Sequence, residues 1–455
     1  MSKTPKKVGM VSLGCPKNLV DSEAVLGDLG VAGYEITPNE SEADVIIVNT
    51  CGFLQSAVKE SIDTILEMAG HKTDGRCQQL IVTGCLAERN PEELLKEIPE
   101  IDHLLGTKQY PMLKHLLNGS GPSGQRNHVH EPAQYFEEYG ARAVTTPFYS
   151  AYVKIAEGCS NKCAFCIIPK LRGPIQSRSV DSILEEVKGL AGRGVREFNL
   201  VSQDTTLYGY DLGMKNGLIQ LLEAMAEVER VDWIRLFYNY PTVLTTELMD
   251  AVQRIDKVVK YIDVPLQHTH DFMLKHMKRQ ETEAGVRQMI DQLRKRIPGV
   301  ALRTTFITGF PGETEEHFQH LLAFVSEFEF DHVGVFAYSD EPGTTAFDYP
   351  DKVDPATGEA RRDQVMAAQR DIVLRKNKER VGETHPALVE GLDDDGMLLL
   401  GRLPFQGPDV DGQVILEQCD AEPGDIVPVR ITGALDYDLV AVAECKEDEP
   451  RIETQ

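Results

Sequence analysis

Two blocks of the chain alternate short continuous apolar runs with segments of helical periodicity, and a third block does not. The first opens with "KVGMVSLGC" and the helix-like "NLVDSEAVLGDLG". It repeats the pair as "EADVIIVNTCGF" and "SAVKESIDTILEMAG", then ends in "QQLIVTGC". Apolar runs of this length between amphipathic stretches predict parallel strands joined by crossover helices, hence a small α/β sheet. After Lys114 the stretch "NGSGPSGQRNHVHEP" is rich in Gly, Ser and Pro and has no apolar period, so it reads as a linker.

Alternation restarts at Tyr152 with six apolar strand candidates: "AYVKIA", "EFNLVS", "WIRLFY", "YIDVPL", "LRTTFIT" and "HVGVFAY". Each of the first five precedes a helix-like segment, for example "SILEEVKGLAG" or "EEHFQHLLAFVSEF". Six strands suit a partial parallel barrel better than a complete eight-fold one. Beyond about Arg380 the runs become short and β-like ("HPALVEGL", "MLLLGR", "GQVILEQ", "DIVPVRITGAL", "DLVAVAE"), punctuated by Gly, Pro and Asp. A small all-β barrel is the simplest assignment. The expected organisation of this α/β chain is an N-terminal parallel sheet unit (1–118), a linker (119–146), a central (β/α)6 partial barrel (147–377), a small β-barrel (378–447) and an acidic tail (448–455).

Composition narrows the class. A chain of 455 residues has room for roughly three domains, each with its own core. No run of 18 apolar residues and no charged-then-apolar leader occurs, so a cytoplasmic protein without a membrane role is expected. Nine cysteines, an odd number without the density of a secreted scaffold, predict reduced thiols available for metal or redox chemistry. The net charge of -25 disfavours wholesale attraction to a nucleic-acid backbone and favours a basic partner.

The cysteines fall into two sets. Cys15, Cys51 and Cys85 each follow a predicted parallel strand by one or two residues, in "SLGC", "VNTC" and "VTGC". Parallel strands end on one edge, so three chain-distant thiols should converge where open α/β sheets bind ligands. A lone cysteine is usually a core residue. Three repetitions of the same placement argue against that reading here, and it stands for Cys77, Cys419 and Cys445. The second set, Cys159, Cys163 and Cys166 in "EGCSNKCAFC", follows the first barrel strand and lies on the carboxyl face. A structural zinc site would use a fourth ligand such as histidine, and none lies within normal spacing. Three compact thiolates fit one corner-open iron–sulfur cubane better, with one iron left for a small molecule.

These residues carry a resemblance. The triplet with Phe165 before its last cysteine resembles the signature of radical S-adenosylmethionine (SAM) enzymes. "SLGCPKNLVDSE", "VNTCGF" and "TGCLAER" look like the additional cluster domain of the methylthiotransferases, and the C-terminal block looks like their TRAM domain. "LGCPKN" is similar to the branch acting on an aspartate of small-subunit ribosomal protein S-twelve, where transfer-RNA enzymes usually carry a Gln-containing version. The resemblance implies two [4Fe-4S] clusters, one per cysteine set. The barrel cluster would bind SAM and cleave it to a 5′-deoxyadenosyl radical that takes hydrogen from the aspartate β-carbon. The other would hold the sulfur or methylsulfide that is inserted, and a second SAM would supply the methyl group. No side-chain acid or base is demanded, and an electron donor such as flavodoxin is implied.

By the same resemblance Gln203, Gln267 and the loop of Thr308, Gly309 and Glu313 approach the cofactor, each following a barrel strand. Any one of these alone reads equally as a satisfied turn. His317 and His320 are spaced like neighbours on a helix surface. From residue 378 to 455, six Lys or Arg face nineteen Asp or Glu, a balance of −13. That is too acidic for RNA phosphates; it suits a basic ribosomal protein, the alternative being a merely solubilising surface. Rival readings are a methylthiotransferase acting on adenosine in transfer RNA and, more remotely, a non-enzymatic iron–sulfur redox protein.

Overall fold

A computed structural model of the chain describes residues 5–118, 124–129 and 142–444. Most of the expected linker, the acidic tail 448–455 and Cys445 lie outside the described residues. The strands are β1 (Lys7–Ser12), β2 (Glu35–Ile36), β3 (Val45–Thr50), β4 (Gln79–Gly84) and β5 (His103–Leu104), in a parallel sheet of order β2-β1-β3-β4-β5. The central strand β3, "VIIVNT", is buried throughout because helices cover both faces of the sheet, which is why it reads as a continuous apolar run. The two-residue edge strands β2 and β5 carry no such run. Within the stretch expected to be linker, residues 124–129 lie against β5: Leu104 N–H donates to Arg126 O (2.8 Å) and His128 N–H to Leu104 O (2.8 Å). Side chains add to the backbone pairing, Arg126 donating to Ile101 O (2.9 Å) and Asn127 to Glu92 (3.1 Å), and the sequence misses this because the partners are distant in the chain and follow no apolar period.

The central unit adds β6 (Ser150–Lys154), the short antiparallel pair β7 (Ala156–Glu157) and β8 (Gln176–Ser177), and then β9 (Glu197–Val201), β10 (Trp233–Leu236), β11 (Val258–Asp263), β12 (Ala301–Thr308) and β13 (His332–Ala337). All six expected barrel strands are present, parallel and in sequential order from β6 to β13. A helix at Pro355–Glu379 follows β13 and packs on it. Its buried side includes Arg361, Gln369 and Asn377, so no apolar stripe announces it. The five predicted β runs of the last block, β14 (Thr384–Leu392), β15 (Leu399–Arg402), β16 (Val414–Glu417), β17 (Ile426–Ala434) and β18 (Leu439–Ala443), close into a barrel of order β14-β15-β16-β18-β17.

One hydrophobic cluster joins all three units. It runs from Val20 and Ala24 in helix α1 (Pro16–Val31), through the lumen residues Tyr152, Phe237 and Tyr261, to Leu388, Leu403 and Phe405 of the small barrel. Polar contacts seal the junction. Tyr152 Oη donates to Asp409 (2.8 Å), Tyr261 Oη to Asp411 (2.7 Å) and Arg235 to Pro404 O (2.8 Å). The small barrel therefore stops the amino end of the partial barrel, and part of its acidic excess is spent inside.

Candidate functional site: two cysteine triads at facing edges

The register of the N-terminal sheet pairs Ser12 with Asn49 and Thr50 with Gly84, so β1, β3 and β4 end level. Cys15 then caps α1, Cys51 follows β3 directly, and Cys85 opens the short helix α2 (Cys85–Arg89). Glycines allow the crowding. A Cβ on Gly14 would stand 2.9 Å from Cys51 Sγ, and one on Gly84, whose φ is +97°, would stand 2.5 Å from Thr50 O. Asn18 ties the edge together, its Nδ2 donating to Leu13 O and Thr50 O at 2.9 Å each. Cys77 lies at the other edge, buried, with its thiol on Gln79 O (3.3 Å).

Electrostatics differ among the three thiols. Burial pushes Cys51 up, and pushes Cys85 up to about 11. Burial acts on Cys15 too, yet the nearby Lys17 and Arg172 cations outweigh it and lower its pKa. Cys85 also feels the charges of Cys15 and Cys51, so the three are electrostatic neighbours. Arg172 Nε donates to Cys85 Sγ at 3.3 Å.

The second set sits where β7 leaves the barrel. Gly158 has φ +77°, and a Cβ there would fall 2.2 Å from Pro174 O, so only glycine makes the turn that delivers Cys159. Cys159 N–H donates to Gly173 O (3.0 Å), and Cys166 N–H to Cys163 O (3.1 Å). Ala164 is clamped from both sides, donating to Met277 O and accepting from Ala346 N–H, each at 2.8 Å. Phe165 packs beside Met273, Met277 and Phe310, which holds the loop from behind. Burial pushes Cys159 up to about 11 and Cys166 up to about 12. Arg279 reaches within 3.7 Å of Cys163 Sγ, is paired with Glu281, and lies 4.2 Å over the Tyr240 ring.

Between the triads lies a buried ionic network that sequence reasoning did not find. Arg172 contacts Glu157 (2.8 Å), Asp21 (3.2 Å) and Asn18, while Lys154 contacts Glu157 (2.6 Å) and Asp21. Burial alone would raise the Glu157 carboxyl, but Arg172 and Lys154 hold it well below the usual carboxylate range. The only trace in the sequence is Lys154 and Glu157 within the otherwise apolar "AYVKIAEG". Their partners Asp21 and Arg172 come from other elements, which no local pattern connects.

The remaining expected contacts divide. Gln203 Nε2 donates to Glu157 (2.9 Å), and its buried Oε1 has no hydrogen-bond partner in the protein. Gln267 has φ +70°, a left-handed backbone rare for glutamine, and its backbone is bound on both sides to β12. Thr308 and Glu313 are occupied by the fold itself. Thr308 Oγ1 donates to Gly358 O (2.9 Å), and Glu313 Oε2 accepts from Gly309 N–H and from Arg361, both at 2.7 Å. His317 forms a capping box with Thr314 and stacks on Phe272, and His320 pairs with Glu283 (3.1 Å). Both histidines serve packing. Among the described residues no group of three or more His, Cys, Asp or Glu is arranged to hold a metal ion. Ligands of a cubane stand wider apart than those of one ion. Two open-sided sets of three free thiols, each with a buried guanidinium beside it, fit two anionic iron–sulfur cores.

Three family models match in succession: the uncharacterized protein family UPF0004 over residues 7–106, the radical SAM superfamily over 153–325, and the TRAM domain over 381–443. The chain is 47% identical to the ribosomal protein uS12 methylthiotransferase RimO of Geobacter sulfurreducens, covering 97% of this chain and 99% of the relative. It is also 47% identical to the RimO of Symbiobacterium thermophilum, covering 96% and 91%. Among solved structures, the radical SAM methyltransferase TsrM of Kitasatospora setae aligns with a TM-score of 0.56 at 12% identity, covering 81% of this chain and 89% of that one. That likeness shows the fold alone.

Proposed function

We propose, from the premise that this chain belongs to the RimO family of radical SAM methylthiotransferases, that it inserts a methylthio group at the β-carbon of an aspartate in ribosomal protein uS12. The observation that supports it best is the pairing of two three-cysteine edges across one buried network, Cys85–Arg172–Glu157–Gln203, within a chain that matches such relatives over nearly its whole length. The cofactors are two [4Fe-4S] clusters and SAM, held in this reading by Cys15, Cys51 and Cys85 and by Cys159, Cys163 and Cys166. Bound there, they supply a one-electron cleavage of SAM whose radical breaks a carbon–hydrogen bond that side-chain acids and bases cannot.

The chain's own residues orient and enclose. The Gly158 turn and the Ala164 clamp fix the thiol loop, and Phe165 with Phe310 excludes water behind it. Glu157 aims Gln203, leaving the Oε1 acceptor for a donor on the bound cofactor. Arg172 and Arg279 balance the negative charge that each thiolate set carries once loaded. Gln267 keeps a strained backbone at the mouth and is read as a cofactor contact, as is Gly309. Thr308 and Glu313 support that loop from within. The working units are residues 1–118, 147–377 and 378–447, in the cytoplasm, with an electron donor of the flavodoxin kind. No helix among the described residues is long and apolar enough to cross a membrane.

The test is anaerobic incubation of reconstituted, reduced protein with SAM and either uS12 or transfer RNA. The expected product is uS12 heavier by one methylthio group in place of one hydrogen. Modified adenosine with unmodified uS12 would replace this reading by the transfer-RNA one.

A further inference from the structure

The loop after β13, residues 339–346, reaches the surroundings of both thiol sets. At its far end Ala346 N–H donates to Ala164 O (2.8 Å), between Cys163 and Cys166. Gly343 lies against Ile167, the residue after Cys166, where a Cβ would stand 3.1 Å from Cδ1. Near its start Glu341 crosses to the N-terminal unit. Its side chain is 2% exposed and accepts from three donors of that unit, Gln55 N–H (2.8 Å), Gln55 Nε2 (3.2 Å) and Arg89 Nη1 (2.9 Å), and from Ser339 Oγ (2.6 Å) in its own loop. Gln55 opens the 20-residue helix Gln55–Asp74, which has no side-chain cap at Leu54, so a carboxylate of the central unit satisfies its first N–H. Arg89, the last residue of α2, also donates to Gly52 O (2.9 Å), next to Cys51, and to Pro342 O (3.1 Å). Thr344 folds the loop back, its N–H and Oγ1 both donating to Glu341 O (3.1 and 2.8 Å).

A buried carboxylate saturated by donors from another unit makes a stiff joint, because parting the units would strand charges and donors away from water. The Arg172 network already holds the N-terminal unit beside Cys15 and Cys85, through Asn18, Asp21 and the Cys85 thiol. Glu341 holds it beside Cys51 and Cys85, so the sheet edge is fixed at two places and does not pivot on one. We propose that Glu341 is a positioning residue that sets the spacing of the two thiol sets and thereby couples SAM cleavage to methylthio transfer. The inference rests on the proposed function, in which both sets serve one carbon of the substrate. A misplacement of about 1 Å at a reacting centre costs about a hundredfold in rate, so a loosened joint consumes SAM without transferring sulfur.

The experiment compares the reconstituted full chain with Glu341→Gln, Glu341→Asp and Arg89→Met. It reads iron per chain, 5′-deoxyadenosine formed per methylthio-uS12, and the spacing of the two reduced clusters from their magnetic interaction in pulsed electron paramagnetic resonance. Glutamine replaces one acceptor by a donor opposite Gln55 or Arg89. In Glu341→Gln the ratio of 5′-deoxyadenosine to product should rise at least about tenfold, and the distribution of spacings should broaden. Iron per chain and SAM cleavage without uS12 should stay at wild-type values. Glu341→Asp, which keeps the charge, should recover part of the coupling, and Arg89→Met should uncouple in the same direction by less. An unchanged ratio, an unchanged spacing distribution, or loss of iron in Glu341→Gln overturns the proposal, the last by making Glu341 a support of the cluster edge itself. Wild type that leaves uS12 unmodified refutes the proposed function instead, and the spacing, read without substrate, still decides whether Glu341 sets it.

Discussion

Replacing Glu197 by Gln tests how the small barrel is fastened to the central unit. Glu197 opens β9, is fully buried, and accepts from Arg402 (2.5 and 3.0 Å), Arg235 (3.1 and 3.2 Å) and Ser150 Oγ (2.8 Å). Burial by itself would push its carboxyl up, but the two guanidiniums outweigh that and hold it at about 2. Against about 4.3 in the unfolded chain, at about 1.36 kcal/mol per unit, the ionised form contributes about 3 kcal/mol at neutral pH. Glutamine keeps the shape but leaves Arg235 uncompensated and Arg402 with only Glu390 (2.6 Å). The single tryptophan, Trp233, lies in the cluster that joins the two units, so its fluorescence reports their separation. In a urea titration at pH 7 the Glu197→Gln transition should lie about 3 kcal/mol below wild type. A folded pKa below the unfolded one means stability is complete above about pH 4.3 and is lost as pH falls toward about 2. The deficit should therefore be constant from pH 7 to 5 and shrink below that. Equal stability at pH 7, or a deficit undiminished in acid, refutes the reasoning.

Anaerobic iron and sulfide analysis of Cys159→Ala/Cys163→Ala/Cys166→Ala should give about half the wild-type load, one of two independent clusters being lost; loss of all iron, or of none, contradicts the two-site reading. Asp394→Lys/Asp395→Lys should weaken uS12 binding by an amount that falls with salt, since exposed charges are screened within about 10 Å at 0.1 M. A loss that salt leaves unchanged would count against the electrostatic dock. Asp393 is left intact because its carboxylate accepts from Met397 N–H (2.7 Å) and Leu398 N–H (3.1 Å) and so builds the turn between β14 and β15.

The sequence alone determined what is periodic or contiguous. The continuous apolar run "VIIVNT" predicts a parallel strand, and it is the buried centre of its sheet; five short β runs separated by Gly, Pro and Asp made a small barrel the simplest assignment, and they close into one. The two cysteine sets were legible for the same reason, three at strand ends and three within eight residues. Tertiary structure decided everything whose meaning depends on a distant partner. The edge strands β2 and β5 are two residues long and exist only by pairing. The helix at Pro355–Glu379 buries Arg361 and Gln369 because Glu313 and Phe330 O stand ready to bind them. Asp409 and Asp411, two of the nineteen carboxylates in the acidic last block, accept from Tyr152 and Tyr261. Lys154, Glu157, Asp21 and Arg172 become one network only when the N-terminal sheet meets the barrel. A hydrophobic period records burial, which each residue senses alone. An ion pair between units separated by more than a hundred residues leaves no local period, so only the folded chain displays it.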